Sequence, residues 1–173
     1  MMATLRPSRN SSQTFYQKPT MQVEFADSVK EQLRKALRAA GSREIGSVLM
    51  GEQIEPGHFR VVDLMIDSQT GGQAHFVRSS EAHAEALNAF FCETGHQYDR
   101  FNYLGEWHSH PRFPVTPSAQ DVESMVDLVN GERGIDFAVL LIVRLQWWRK
   151  ISCSCTLFRR HFSPSPVVIL EHR

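Results

Sequence analysis

Met21, Val23 and Phe25 alternate with polar neighbours, and this period of two predicts a strand over 21–26. The period then lengthens. Val29, Leu33, Ala36, Leu37 and Ala40 recur at helical spacing, so a helix follows to Ala40, with Asp27 or Ser28 as N-cap and Gly41 just past its end. Two apolar runs, "EIGSVLMG" (44–51) and "HFRVVDLMI" (58–66), read as strands. Between them "EQIEPG" is a turn broken at Pro56-Gly57. After a loop, "SSEAHAEALNAFFCETG" has a helical stripe of Ala82, Ala86, Leu87, Phe90 and Phe91, capped by Ser79 or Ser80 and ended by Gly95. A strand over "FNYLGEWHSH", a helix over "PSAQDVESMVDLVN" with Val122, Met125, Val126 and Val129 facing inward, and strands over "DFAVLLIV" and "WWRKISCSCTLF" complete the pattern. This mixed order of strands and helices predicts an α/β sandwich with a mixed β-sheet flanked by helices.

The chain of 173 residues suits one domain, placed at 21–160, with a polar, disordered arm over 1–20 and a Pro/Ser-rich, briefly strand-like tail over 161–173. Net charge is zero, which gives no reason to expect nucleic acid or an anionic membrane as partner. The basic group Arg144, Arg149, Lys150, Arg159 and Arg160 reads as solvated surface. The longest apolar run, "FAVLLIV", is far too short to span a bilayer, and the N-terminus lacks the apolar core of a secretory signal. Three cysteines, an odd count with no C-x-x-C, fit a reducing compartment, so the expected location is cytoplasmic.

The candidate chemistry lies in "GEWHSHPRFPVTPSAQD", 105–121. Residues i and i+2 of a strand share a face, so His108 and His110 can address one cation, with Ser109 turned the other way. Pro111 has no N–H and should end the strand. If Ser118 caps the next helix, Asp121 falls at N3, where the helix dipole favours a carboxylate. Two imidazoles and one carboxylate are ligands of the kind Zn²⁺ accepts, and three protein ligands leave the fourth position for water, as catalytic sites do. By itself Ser118-x-x-Asp121 is close to an ordinary capping box, and an isolated H-x-H is a weak signal; the combination carries the weight. Cys92 with His96 could form a thiol–imidazole pair, but Cys92 is more simply a core thiol. Trp107 reads as core, and His58, His75, His161 and His172 as surface residues without partners. "HAE" at 83–85 and "CSC" at 153–155 lack the P-C-x-x-C that a zinc deaminase needs.

"HSHPRFPVTPSAQD" resembles the H-x-H-x₇-S-x-x-D signature of the JAB/MPN/JAMM metalloprotease family. "EIGSVLMG" is similar to that family's upstream E-x-G-G-x-L-x-G, with Ser47 at the second glycine. The resemblance implies a cytidine-deaminase-like MPN/JAB sandwich, Zn²⁺ on His108, His110 and Asp121, Glu44 as general base, and Ser118 as a donor to the oxyanion. It also implies a zinc isopeptidase that cuts a ubiquitin-like modifier, or a protein joined in a ubiquitin-like way, from a lysine or peptide. The layout is similar to stand-alone bacterial JAB proteins found beside E1- and E2-like partners in antiphage defence operons. A peptidase that matures a small sulfur-carrier protein and a non-catalytic MPN scaffold stay open beside it. The 67–78 loop, with Gly71-Gly72, could flank the substrate groove.

Overall fold

The computed structural model describes residues 21–67, 80–131, 134–147 and 149–171. In chain order the elements are β1 (Gln22–Phe25), α1 (Asp27–Ala40), β2 (Gly46–Glu55), β3 (His58–Leu64), α2 (Ser80–Glu93), β4 (Phe101–Ser109), α3 (Ala119–Gly131), β5 (Phe137–Gln146), β6 (Lys150–Arg159), β7 (Ser165–Pro166) and β8 (Val168–Ile169). The expected N-terminal arm lies outside the described residues, as do His75, His172 and all but the first residue of the 67–78 loop.

The strands form one mixed sheet in the order β7-β6-β5-β4-β2-β3-β1-β8. β1 runs parallel to β3 and β8, and β4 parallel to β5; the remaining pairs are antiparallel. The two faces have separate cores. Val29, Leu33 and Leu37 of α1 pack with Val61, Leu49, Trp107, Val139, Leu141 and Val143. Met125, Leu128 and Val129 of α3 pack with Ala138, Leu140, Ile142 and Phe158. β5 thus feeds alternate side chains to both cores, which is why it reads as an unbroken apolar run. Each fully buried Val, Leu or Ile side chain of this kind is worth about 1.5–3 kcal/mol of transfer free energy.

β7 and β8 are separated in the chain by Val167 alone, yet they occupy opposite edges of the sheet. The sheet therefore curls until one extended segment reaches both margins. Val167 N–H donates to the Cys155 carbonyl at 3.0 Å, Val168 N–H to Met21 at 3.0 Å, and Leu170 N–H to Val23 at 2.9 Å. This segment caps two strand edges that would otherwise offer unpaired backbone groups.

Several local expectations differ from the structure. β2 starts at Gly46, after Glu44, and continues past Gly51 because Glu52 pairs with Arg60 on one side and Phe101 on the other. Trp147 is not in β6: the β5–β6 hairpin closes at Gln146↔Lys150, and Trp147 stands in the turn at φ 49°, 90% exposed. Neither Asp27 nor Ser28 caps α1; Ala26 holds the N-cap position without a side-chain bond, and Asp27 pairs instead with Lys30 in the first turn. Cys92 is exposed, because it falls off the stripe that buries Phe90. His58 has a partner: its Nε2 lies 3.3 Å from the buried Glu24, which also binds Arg60 Nε at 2.5 Å.

Candidate metal centre

β4 ends where the histidines sit, and its neighbours fix both. His108 is paired across the antiparallel ladder with Gly46 and across the parallel ladder with Ile142. His110 lies past the last strand residue, but its N–H still donates to the Val143 carbonyl at 2.9 Å. A side chain at position 46 would not fit here: a Cβ would overlap the Trp107 carbonyl oxygen and come within 2.7 Å of His108 Cβ. Trp107 itself faces the α1 core, 1% exposed, and donates its indole N–H to the Met65 carbonyl at 2.9 Å.

The helix start supplies the carboxylate. Ser118 Oγ accepts from Asp121 N–H at 3.2 Å, Ser118 N–H donates to Asp121 Oδ2 at 2.7 Å, and the Ser118 carbonyl accepts the first helical bond from Val122 at 3.1 Å. This is a reciprocal capping box with aspartate in the N3 position. The Ser118 hydroxyl also donates to Asp121 Oδ2 at 2.7 Å. Its single proton is therefore held by Asp121 in this arrangement. Burial opposes ionisation of Asp121, but the bond to and charge of His108, together with the Ser118 bonds, outweigh it and hold the carboxyl well below the usual carboxylate range.

The cap aims Asp121 at the histidines. His108 Nε2 is 3.5 Å from Asp121 Oδ1, His110 Nε2 is 3.9 Å from Asp121 Oδ2, and the two Nε2 atoms are 3.0 Å apart. One donor atom from each residue lies within 4.8 Å of the others. His110 Nδ1 donates to the Pro114 carbonyl at 2.7 Å. A carbonyl can only accept, so Nδ1 carries the proton, and the lone pair of the neutral ring is left on Nε2. His110 thus offers a lone pair and Asp121 a carboxylate, with His108 Nε2 beside both, and two imidazoles and a carboxylate are the donor set that zinc accepts once His108 gives up its proton. His108, His110 and Asp121 fit that ion.

Of the other residues singled out in the sequence, Glu44 precedes β2 and is partly buried. Gly46↔His108 is the last Cα pair of the β2–β4 ladder, so Glu44 lies two residues beyond it, at the level of His110. Cys92 and His96 take no part. Sequence reasoning passed over the Pro114 carbonyl, a backbone acceptor with no residue-type signal, and gave Ser109, correctly turned away from the histidines, no role. A cleft of about 650 Å³ lies further back along the same strands, lined by Val48, Glu106, Tyr103, Leu87, Phe91 and Leu128 among others, and not by His108, His110 or Asp121. Val48 and Glu106 are paired with each other, two residues from the Gly46↔His108 pair. Phe113, 60% exposed, meets the His110 ring edge-on on the loop side.

An eight-stranded mixed sheet with helices on it and a three-donor cluster at a strand end define an α/β protein with a candidate metal centre. Residues 26–155 match the family described as prokaryotic homologs of the JAB domain. The chain belongs to that family. A solution structure of a Desulfitobacterium hafniense protein is similar at 19% identity and a TM-score of 0.60, over 87% of this chain and 94% of that one. A solution structure from Salinibacter ruber matches at 20% identity and a TM-score of 0.47, over 86% and 92%. No curated protein matches the sequence. No described helix is long and apolar enough to cross a membrane.

Proposed function

We propose that this protein is a zinc-dependent isopeptidase: it hydrolyses the bond between the C-terminus of a ubiquitin-like modifier, or of a protein joined in a ubiquitin-like way, and a lysine or peptide. The observation that carries this reading is the convergence of His108, His110 and Asp121 within 4.8 Å. Family membership supports hydrolytic chemistry, and the full ligand set speaks against a scaffold that has lost it.

His108, His110 and Asp121 would hold the ion. Zinc bound there would lower the pKa of its water to about 7 and polarise the scissile carbonyl. Glu44 takes a proton from the attacking water and passes it to the leaving amine, so that water is added across the amide bond. The Ser118 hydroxyl donates to Asp121, so offering its proton to the oxyanion requires rotation away from Asp121. The cleft over the face of β2 and β4 would offer side chains to an extended chain terminus; both strands are paired on either side, so main-chain hydrogen bonds to that terminus would come from an exposed strand edge outside them.

The three free thiols suit a reducing cytoplasm. The setting we propose is a bacterial antiphage system with E1- and E2-like partners. Maturation of a small sulfur-carrier protein would use the same chemistry on a different substrate. The decisive experiment incubates the protein with modifier fusions and lysine-linked conjugates, with and without chelator, and maps product ends by mass spectrometry. Chelator-sensitive cleavage after the modifier C-terminus, lowered about 100- to 10,000-fold in Glu44→Gln with zinc retained, is the expected result. Undiminished cleavage by Glu44→Gln would remove its assigned role.

A further inference from the structure

Ser109, between the two histidines, turns away from them and is 1% exposed. Its N–H donates to the Ile45 carbonyl at 2.8 Å, and its Oγ accepts from the Ile45 N–H at 3.0 Å. Directly opposed antiparallel residues of the hydrogen-bonded kind exchange two backbone N–H···O=C bonds. Here a side-chain hydroxyl replaces one of the carbonyls. The reason is local. β4 ends at Ser109, the next N–H is already given to Val143 on β5, and Pro111 then takes the chain away. The hydroxyl supplies the second bond of this last pair, which the β4 backbone alone holds only through the Ser109 N–H.

The consequence falls on Glu44. It lies outside β2, and its position depends on Ile45, which is 3% exposed and has both backbone groups bound by Ser109. Glu44 and Gly46 are two apart along an extended chain, so they share the face on which His108 sits opposite Gly46. We infer that Ser109 is a positioning residue: its hydroxyl clamps Ile45 and thereby fixes Glu44 at the level of the His108–His110–Asp121 cluster. This rests on the reading of Glu44 as the base. The end of β4 thus serves both faces, with His108 and His110 as ligands on one side and Ser109 as the support for the base on the other.

The test compares Ser109→Ala and Ser109→Thr with the wild type and with Glu44→Gln. In metal-free protein, amide hydrogen exchange of a peptide spanning 44–46 should speed up about 10- to 100-fold in Ser109→Ala and stay slow in Ser109→Thr, which keeps the hydroxyl. With zinc loaded, Ser109→Ala should keep its metal stoichiometry and KM while kcat falls about 10- to 100-fold, and Ser109→Thr should restore most of kcat. Adding Ser109→Ala to Glu44→Gln should cost little more, because both act through one carboxylate. Equal losses on both backgrounds, zinc loss in Ser109→Ala, or unchanged exchange at 44–46 would overturn the assignment. If Ser109→Ala does not fold, Ser109→Cys, a weaker acceptor of similar size, takes its place with the same expected order. A fully active Glu44→Gln would instead refute the reading of Glu44, and the exchange result would still report whether the clamp exists.

Discussion

His110 Nδ1 donates to the Pro114 carbonyl at 2.7 Å, so the loop that leaves β4 also decides which nitrogen of that ring faces the cluster. Pro111, Pro114 and Pro117 stiffen this loop, which keeps the acceptor in place at low entropic cost. A prepared ligand set should bind one zinc per chain and raise the folded state's stability. At zinc 100-fold above its Kd the gain is about 2.7 kcal/mol, or roughly 5–10 °C in Tm for a chain of this size. His108→Ala, His110→Ala and Asp121→Asn should each abolish both the stoichiometric zinc and the shift. Elemental analysis and thermal melts with and without zinc check this; a variant that kept the full shift would not be a ligand.

Ser118 has two duties that a substitution can separate. Its Oγ caps α3 through Asp121 N–H, and its proton goes to Asp121 Oδ2. Ser118→Ala should lose about 1 kcal/mol of stability through the cap. It should also lose about 100- to 1,000-fold in kcat if the hydroxyl turns to the oxyanion during reaction. Ser118→Thr should recover the cap. Denaturant titration and steady-state kinetics, run on the same preparations, distinguish a purely structural serine from a donor: the former changes stability alone.

The closing segment should be worth more than its length suggests. Val167 is buried between two strands at opposite sheet edges, and its flanking residues bond to both margins. Val167→Ala removes two methyl groups from a packed site and should cost roughly 1–3 kcal/mol. Val168→Ala, at a half-exposed neighbour, should cost well under 1 kcal/mol. Chevron or equilibrium unfolding of the pair checks the difference, and equal effects would mean that the segment does not seal the sheet.

Thiol chemistry gives a pH-dependent prediction. Burial, with Cys153 beside it, pushes Cys155 from 9.0 up to about 12, and burial with Glu171 nearby raises Cys153. A folded pKa above the unfolded one stabilises the fold fully below the unfolded pKa; that contribution is lost as pH rises through the folded value. Stability should therefore decline from about pH 9 towards pH 12. At pH 8 a disulfide reagent should label the exposed Cys92 promptly and the other two only on unfolding. Mass spectrometry of labelled native protein reads this directly.

Much of this molecule is legible in its sequence. Period two marks β1, period 3.6 marks α1 and α3, and the doubly buried β5 announces itself as "FAVLLIV". His108, His110 and Asp121 can be picked out because strand parity and the N3 position of a cap are rules of local geometry. Where local signals compete, the reading fails. Trp147 has the composition of a strand residue, yet the hairpin register puts it in the turn. Asp27 is a good cap by type, but the chain enters α1 at Ala26.

What the sequence alone determined is therefore the set of elements and the identity of the chemical groups, since both follow from neighbours within a turn or a strand. Tertiary structure decided the rest. The curl of the sheet brings both edges to Val167, and the pairing of β4 with the segment before β2 brings Ser109 to Ile45, 64 positions earlier. Donors and acceptors so far apart in the chain meet only when the sheet closes. A hydrogen bond to a backbone carbonyl such as Pro114's leaves no mark on residue type, so only coordinates reveal it.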